Sequence, residues 1–129
     1  MITTKYDEWN GIPLVVCEDT QLQSSIGKEC ILFYHGFKGS KESNLRELNS
    51  LASHGYLAVG VDALGHGARR YVDFDQRFTT DGSTTDREFM KIISQTATEV
   101  PHLLDHLTGE HSIDNFGIAG ISMGGFITY

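Results

Sequence analysis

Three observations predict an α/β architecture, with a mostly parallel sheet, flanking helices and an N-terminal β-hairpin. The runs Cys30 to Tyr34 and Tyr56 to Val61 are continuously apolar, the composition of strands buried on both faces of a parallel sheet. Helical spacing of apolar residues appears after each of them, so strands alternate with helices and right-handed crossovers follow. Three strands in succession end in glycine-punctuated turns: His35-Gly36, Gly65-His66-Gly67 and Gly120 to Gly125. In open sheets of this class, ligands bind beyond the carboxyl ends of the strands, so these turns are expected to meet in one crevice.

The hairpin is predicted by Asn10-Gly11 between two strand-like runs, because both central residues of a type I′ turn need positive φ. Pro13 cannot donate to a ladder, which places this hairpin at a sheet edge. Residues 18–29 read as a polar connection. After His35-Gly36-Phe37 a helix is expected, capped by Ser40 or Ser43, with Leu45, Leu48, Leu51 and Ala52 on one face and Gly55 at its end. Residues 62–84 show no sustained period, and a connection of that length is usually functional or mobile. Thr85 to Glu88 has the capping-box pattern, and Phe89, Ile92, Ile93, Thr96, Val100, Leu103, Leu104 and Leu107 form one stripe closed by Gly109. Pro101 falls inside that stripe, so a kink or break is expected near Val100. Ile113 to Ile121 returns to strand, and Met123 to Tyr129 begins a helix.

Composition fits one soluble globular domain: 129 residues, 40% hydrophobic and 21% charged. A net charge of −7 argues against nucleic acid or an anionic membrane surface as partner. No apolar run approaches the ~20 residues of a membrane span. Met1 to Asp7 contains no apolar signal segment, so the default compartment is the cytoplasm. Cys17 and Cys30 make no metal pattern and read as reduced, buried thiols. No cofactor is implied.

The chemistry centres on Gly120-Ile121-Ser122-Met123-Gly124, a G-x-S-x-G directly after an apolar strand. This is the pattern of a nucleophile elbow, in which a sharp strand-to-helix turn lifts the serine hydroxyl to its tip. The glycines are required because a side chain there would strike the adjoining strand or helix. With the strand into His35-Gly36-Phe37 and the strand into Asp62-Ala63-Leu64-Gly65-His66-Gly67, the chain resembles the α/β-hydrolase superfamily. It resembles in particular the small esterase-like and dienelactone-hydrolase-like members. The resemblance implies Ser122 as nucleophile, with the backbone N–H groups of Phe37 and Met123 as the oxyanion hole. Their side chains would line an acyl pocket. His35, Gly36, His66, Gly120 and Gly124 would shape the site, and the substrate would be a small ester-like molecule. Thioesterase and peptidase variants share these motifs.

The sequence departs from that family in one respect. The triad order is Ser, then Asp or Glu, then His, and the seven residues after Ser122 contain neither an acid nor a histidine. The expectation is therefore a single, incomplete hydrolase domain over residues 1–129, inactive alone. The alternative is a non-catalytic product that acts through association, since the elbow strand would be left at an open sheet edge.

Other polar residues have bland readings beside the functional ones. His35 and His66 could be imagined as bases, but loop-shaping roles fit both better. His102 and His106 are spaced i, i+4 like a metal pair, yet no third ligand follows. Asp62 precedes the serine and reads as turn-forming. Arg69, Arg70 and Arg77 would suit a substrate carboxylate or, more simply, exposed loop charges.

Overall fold

The computed structural model describes residues 1–22, 28–78, 82–111 and 113–128. Of the polar connection at 18–29, residues 23–27 lie outside the described residues, as do 79–81 of the long loop. Strands β1 (Ile2–Trp9) and β2 (Ile12–Asp19) form the expected antiparallel hairpin. Asn10 and Gly11 both take positive φ, 51° and 81°, as a type I′ turn demands. Strands β3 (Lys28–Tyr34), β4 (Leu57–Val61) and β5 (Ile113–Gly120) complete a five-stranded sheet in the order β1-β2-β4-β3-β5. β4, β3 and β5 are mutually parallel, and β2 joins β4 antiparallel. The hairpin thus forms one edge of the sheet and β5 the other. Pro13 lies one residue outside the β2–β4 ladder, where its carbonyl accepts the Asp62 N–H at 3.2 Å and no donor is needed from it.

The period-two alternation of the strands divides the core between the two sheet faces. Cys30, Leu32 and Tyr34 of β3 and Leu57, Val59 and Val61 of β4 point to one side. There they pack on helix α3 (Gly82–Glu110) through Ile92, Leu103 and Leu107, and on helix α4 (Met123–Ile127) through Met123 and Ile127. On the other side Val15, Cys17 and Ala58 pack on Leu48 and Ala52 of helix α1 (Leu45–Ser53). A 3₁₀ turn, Lys41–Asn44, leads into α1; its entry is fixed by the Ser40 N–H donating to Ser43 Oγ at 2.9 Å. Gly55, at φ 95°, ends that helical stretch as expected. Cys17 and Cys30 are free and buried, and burial pushes the Cys30 thiol up to about 12.

Two expectations need correction. The residues after β4 are not without local structure. A 3₁₀ turn at Gly67–Arg69 is closed by a bridge between Gly65 and Arg70, and a one-turn helix, α2 (Phe74–Arg77), follows. Helix α3 begins three residues before the Thr85–Glu88 pattern and runs without a break through Pro101. The proline lies on the exposed face while Val100, Leu103 and Leu107 are buried against the sheet. Burial of such side chains contributes roughly 1.5–3 kcal/mol each. Three of them outweigh the ~3 kcal/mol that an interior proline costs.

Because Pro101 is exposed, Pro101→Ala is expected to stabilise the protein by up to about 3 kcal/mol. Urea denaturation reads this as a higher midpoint at unchanged slope. An unchanged midpoint would mean the helix carries the ring without strain.

Candidate active site

The elbow has the backbone its sequence requires. Ser122 stands between β5 and α4 at φ 55°, ψ −111°, a positive-φ conformation that a non-glycine residue rarely adopts. Its side chain is exposed, whereas Met123 and Gly124 directly below are buried. A Cβ on Gly124 would overlap the Tyr34 carbonyl of β3, and one on Gly120 would overlap the Gly124 carbonyl group. The turn is closed by the Ile121 N–H donating to Tyr34 O at 3.2 Å and the Gly124 N–H donating to Ile121 O at 2.9 Å.

The turn after β3 lies against this elbow. A Cβ on Gly36 would come 3.4 Å from Ile121 O and 3.7 Å from Ser122 Cβ. The Gly36 carbonyl accepts from the His35 Nδ1–H at 2.7 Å and from the Gly39 N–H at 3.0 Å. Because the peptide is trans and planar, holding that carbonyl also fixes the opposite direction of the Phe37 N–H. Among the described residues, neither the Phe37 nor the Met123 N–H donates to another protein group.

His35 Nε2 in turn accepts the Ala63 N–H at 3.0 Å, so its neutral tautomer carries the proton on Nδ1. Through this ring the turns after β3 and β4 are bonded to each other. His66 is arranged similarly: its Nδ1–H donates to Leu64 O at 3.0 Å, while its buried Nε2 has no partner among the described residues. Burial lowers the pKa of both imidazoles, a shift opposed by their hydrogen bonds to Gly36 and Leu64. Both residues are 1% exposed and held within the turns, which favours the neutral form of each.

Asp62, at the end of β4, is more than a turn former. Fully buried, its carboxylate accepts the Lys41 N–H at 2.7 Å, Lys41 Nζ at 3.0 Å and the Ala68 N–H at 2.8 Å. Burial opposes the charge on Lys41, but its bonds to Asp62 and the nearby Glu42 carry its pKa above the usual lysine value. A Cβ on Gly67 would overlap the Asp62 carboxylate, which is why that loop closes on glycine. No motif pointed to the Lys41–Asp62 pair. The only sequence signal is a charged residue directly after an apolar strand.

An aromatic cluster surrounds Phe37. Its ring lies 4.8 Å from Phe78, 5.6 Å from both Phe89 and His66, and 5.7 Å from Phe74. Phe37 thus packs sideways into the loop after β4. The Met123 side chain corrects the expectation for it: it is fully buried in the core between α4 and the sheet, not in a pocket. An open cavity of about 470 Å³ beside Ser122 is instead lined by Gly125, Phe126 and Thr128.

The remaining candidates are engaged elsewhere. Arg69 holds Glu99 at 2.7 Å and the Asp62 carbonyl at 2.8 Å. Arg70 pairs with Asp75, and Arg77 with Asp73 and Glu88. His106 stacks on Trp9 at 5.4 Å, and His102 is exposed. No group of three or more metal-ligating side chains is gathered among the described residues.

This order of strands, with a serine elbow after β5 and a His-Gly turn against it, is the α/β-hydrolase fold. The chain is similar to YitV of Bacillus subtilis (strain 168), whose name assigns it, provisionally, to the esterases. The two are 34% identical over 132 residues, which span 99% of this chain and 48% of that protein. TT1662 from Thermus thermophilus has a TM-score of 0.67 at 23% identity, over 98% of this chain and 49% of that one. A cold-adapted esterase from an Arctic intertidal metagenomic library gives 0.67 at 21%, over 98% and 52%. The epoxide hydrolase VrEH1 from Vigna radiata gives 0.59 at 22%, over 98% and 33%. The chain therefore spans about half the length of the curated relative it matches. No family model matches it. No helix among the described residues is long and apolar enough to cross a membrane.

The buried neutral histidines make stability depend on pH. Their folded pKa values lie below the ordinary 6.5, so the unfolded chain binds more protons as the solution is acidified. Their contribution is complete above about pH 6.5 and is lost as the pH falls below it. The melting temperature is expected to drop between neutral pH and pH 5, and to drop less in His66→Gln. Equal pH slopes for the two proteins would exclude His66 as a source.

Proposed function

We propose that this chain carries the nucleophile and oxyanion hole of a serine hydrolase acting on carboxylic esters. The observation that supports it best is Ser122 itself: exposed, at positive φ, seated on two glycines with no room for a Cβ, beside Gly36 of the neighbouring turn. Ser122 Oγ attacks the ester carbonyl carbon, and the negative oxygen is received by the Phe37 and Met123 N–H groups. Loss of one such donor typically costs about 3–4 kcal/mol of transition-state stabilisation. The alcohol leaves with the proton that a general base takes from Ser122, and water then releases the acid from the acyl-enzyme and restores the serine hydroxyl. His35, Gly36, His66, Gly120 and Gly124 hold this geometry. The name of the Bacillus relative favours an ester over a thioester or an amide. Two free, buried cysteines fit the reducing cytoplasm.

A general base is the missing part of this reading. Among the described residues no side chain is hydrogen-bonded to Ser122 Oγ, and His35 has both ring nitrogens committed to backbone groups. Residues 1–129 alone are therefore expected to give no aryl-ester turnover above that of Ser122→Ala, and weak labelling by a fluorophosphonate. Joined to the second half of the Bacillus relative, the chain is expected to label at Ser122. Labelling that survives Ser122→Ala would refute the nucleophile. Ser122-dependent turnover by these residues alone would show that they contain the base.

A second reading, association through β5, has its own observation. Among the described residues this strand is paired on one side only, Phe116 is 58% exposed, and Asn115 to Ile121 carries no charge or proline. Such an edge is a template for another strand. Sedimentation is expected to show concentration-dependent association that Ile118→Lys weakens. A monomer at every concentration would remove this reading.

A further inference from the structure

The exposed apolar side chains beside the elbow form a groove that the proposed chemistry does not yet use. Phe89, Met90 and Ile93 on α3 and Phe126 on α4 enclose about 260 Å³, with almost no polar surface. Met90 and Phe126 are 58% and 59% exposed, unusual for side chains of this size lying together. The groove touches both halves of the proposed oxyanion and nucleophile site. Phe126 also lines the cavity beside Ser122, and Phe89 packs on the ring of Phe37 at 5.6 Å. It is therefore continuous, through Phe126, with the cavity at Ser122.

Charge narrows the occupant. No lining residue is charged, and the three arginines of the loop after β4 are each paired with a carboxylate. The lining itself thus offers no cation to an anionic substrate tail. The volume lies just below the range of pockets that enclose drug-sized ligands, and it suits one narrow chain.

We propose that this groove binds the apolar acyl chain of the substrate, selecting esters of medium-length, unbranched, uncharged acids over acetates. The proposal rests on the Ser122 reading for its chemistry but not for its test. Each fully buried methylene strengthens binding about fourfold, so four extra methylenes, even half-buried, are worth at least about tenfold.

The chain has three methionines, Met1, Met90 and Met123, so a methyl-labelled methionine spectrum places one reporter in the groove and one in the core. Titration with methyl hexanoate is expected to move the Met90 methyl saturably and leave Met1 in place. Methyl acetate should bind at least about tenfold more weakly. Phe126→Ser and, on the opposite wall, Ile93→Ala should each weaken the hexanoate response several-fold, with an unmoved Met123 signal confirming the fold. Ser122→Ala should respond like the parent chain, so this outcome is separate from that of the labelling experiment. A Met90 signal indifferent to hexanoate would overturn the proposal. So would one that shifts with protein concentration alone, since a second copy would then fill the groove.

Discussion

The close approach of α4 to the end of β3 is the constraint on which the rest of the site depends. Gly124 lies against the Tyr34 carbonyl and Gly120 against Gly124, with no space for a methyl group at either position. Only with that contact does the helix start directly above the sheet, and only then must Ser122 take its positive φ to join β5 to α4. Strain of this kind costs on the order of 1–3 kcal/mol and persists where surrounding structure fixes it. Here the surroundings are the Ile121–Tyr34 and Gly124–Ile121 hydrogen bonds and the burial of Met123 beneath. The same contact brings Gly36 beside Ser122, so one steric fact positions the serine and the turn next to it.

A second anchor holds the loops around that serine. The buried Asp62 carboxylate ties the turn before α1, through Lys41, to the turn after β4, through Ala68. Its own carbonyl holds Arg69, which reaches Glu99 on α3. A buried pair that loses one partner leaves an uncompensated charge, at a cost of about 3–5 kcal/mol. The His35 ring adds the cross-link from Gly36 to Ala63. The Phe37 peptide is thus fixed by groups far apart in sequence, as the donor role proposed for it requires.

What was legible in the sequence followed from local chemistry. Asn10-Gly11 specified its own turn, the apolar runs specified strands, and the glycines around Ser122 specified an elbow, because each signal acts within a few residues. The start of α3, and the break allowed for at Pro101, were misread for the opposite reason. The buried stripe of Val100, Leu103 and Leu107 on the sheet decides that helix, and neither a local capping pattern nor one proline outweighs it. The Lys41–Asp62 pair was invisible because its partners are 21 residues apart and belong to different turns. The Met123 side chain was placed wrongly because the G-x-S-x-G pattern fixes a backbone path but not the face on which the next side chain falls.

The same logic separates the two sides of the elbow. Beneath it Met123 is buried and neither Gly120 nor Gly124 has room for a Cβ, so a sequence pattern survives as a recognisable signature. Above and beside it, Phe116, Ile121, Phe126 and Met90 are exposed, and no backbone rule selects them. Side chains in such a position are free to vary with whatever lies against them, which is where a shared hydrolase scaffold acquires its substrate preference. For the hydrolase proposed here, the apolar character of this rim, set against paired charges in the neighbouring loop, is the property from which specificity would be read. The serine motif, common to many chemistries on this fold, carries none of that information.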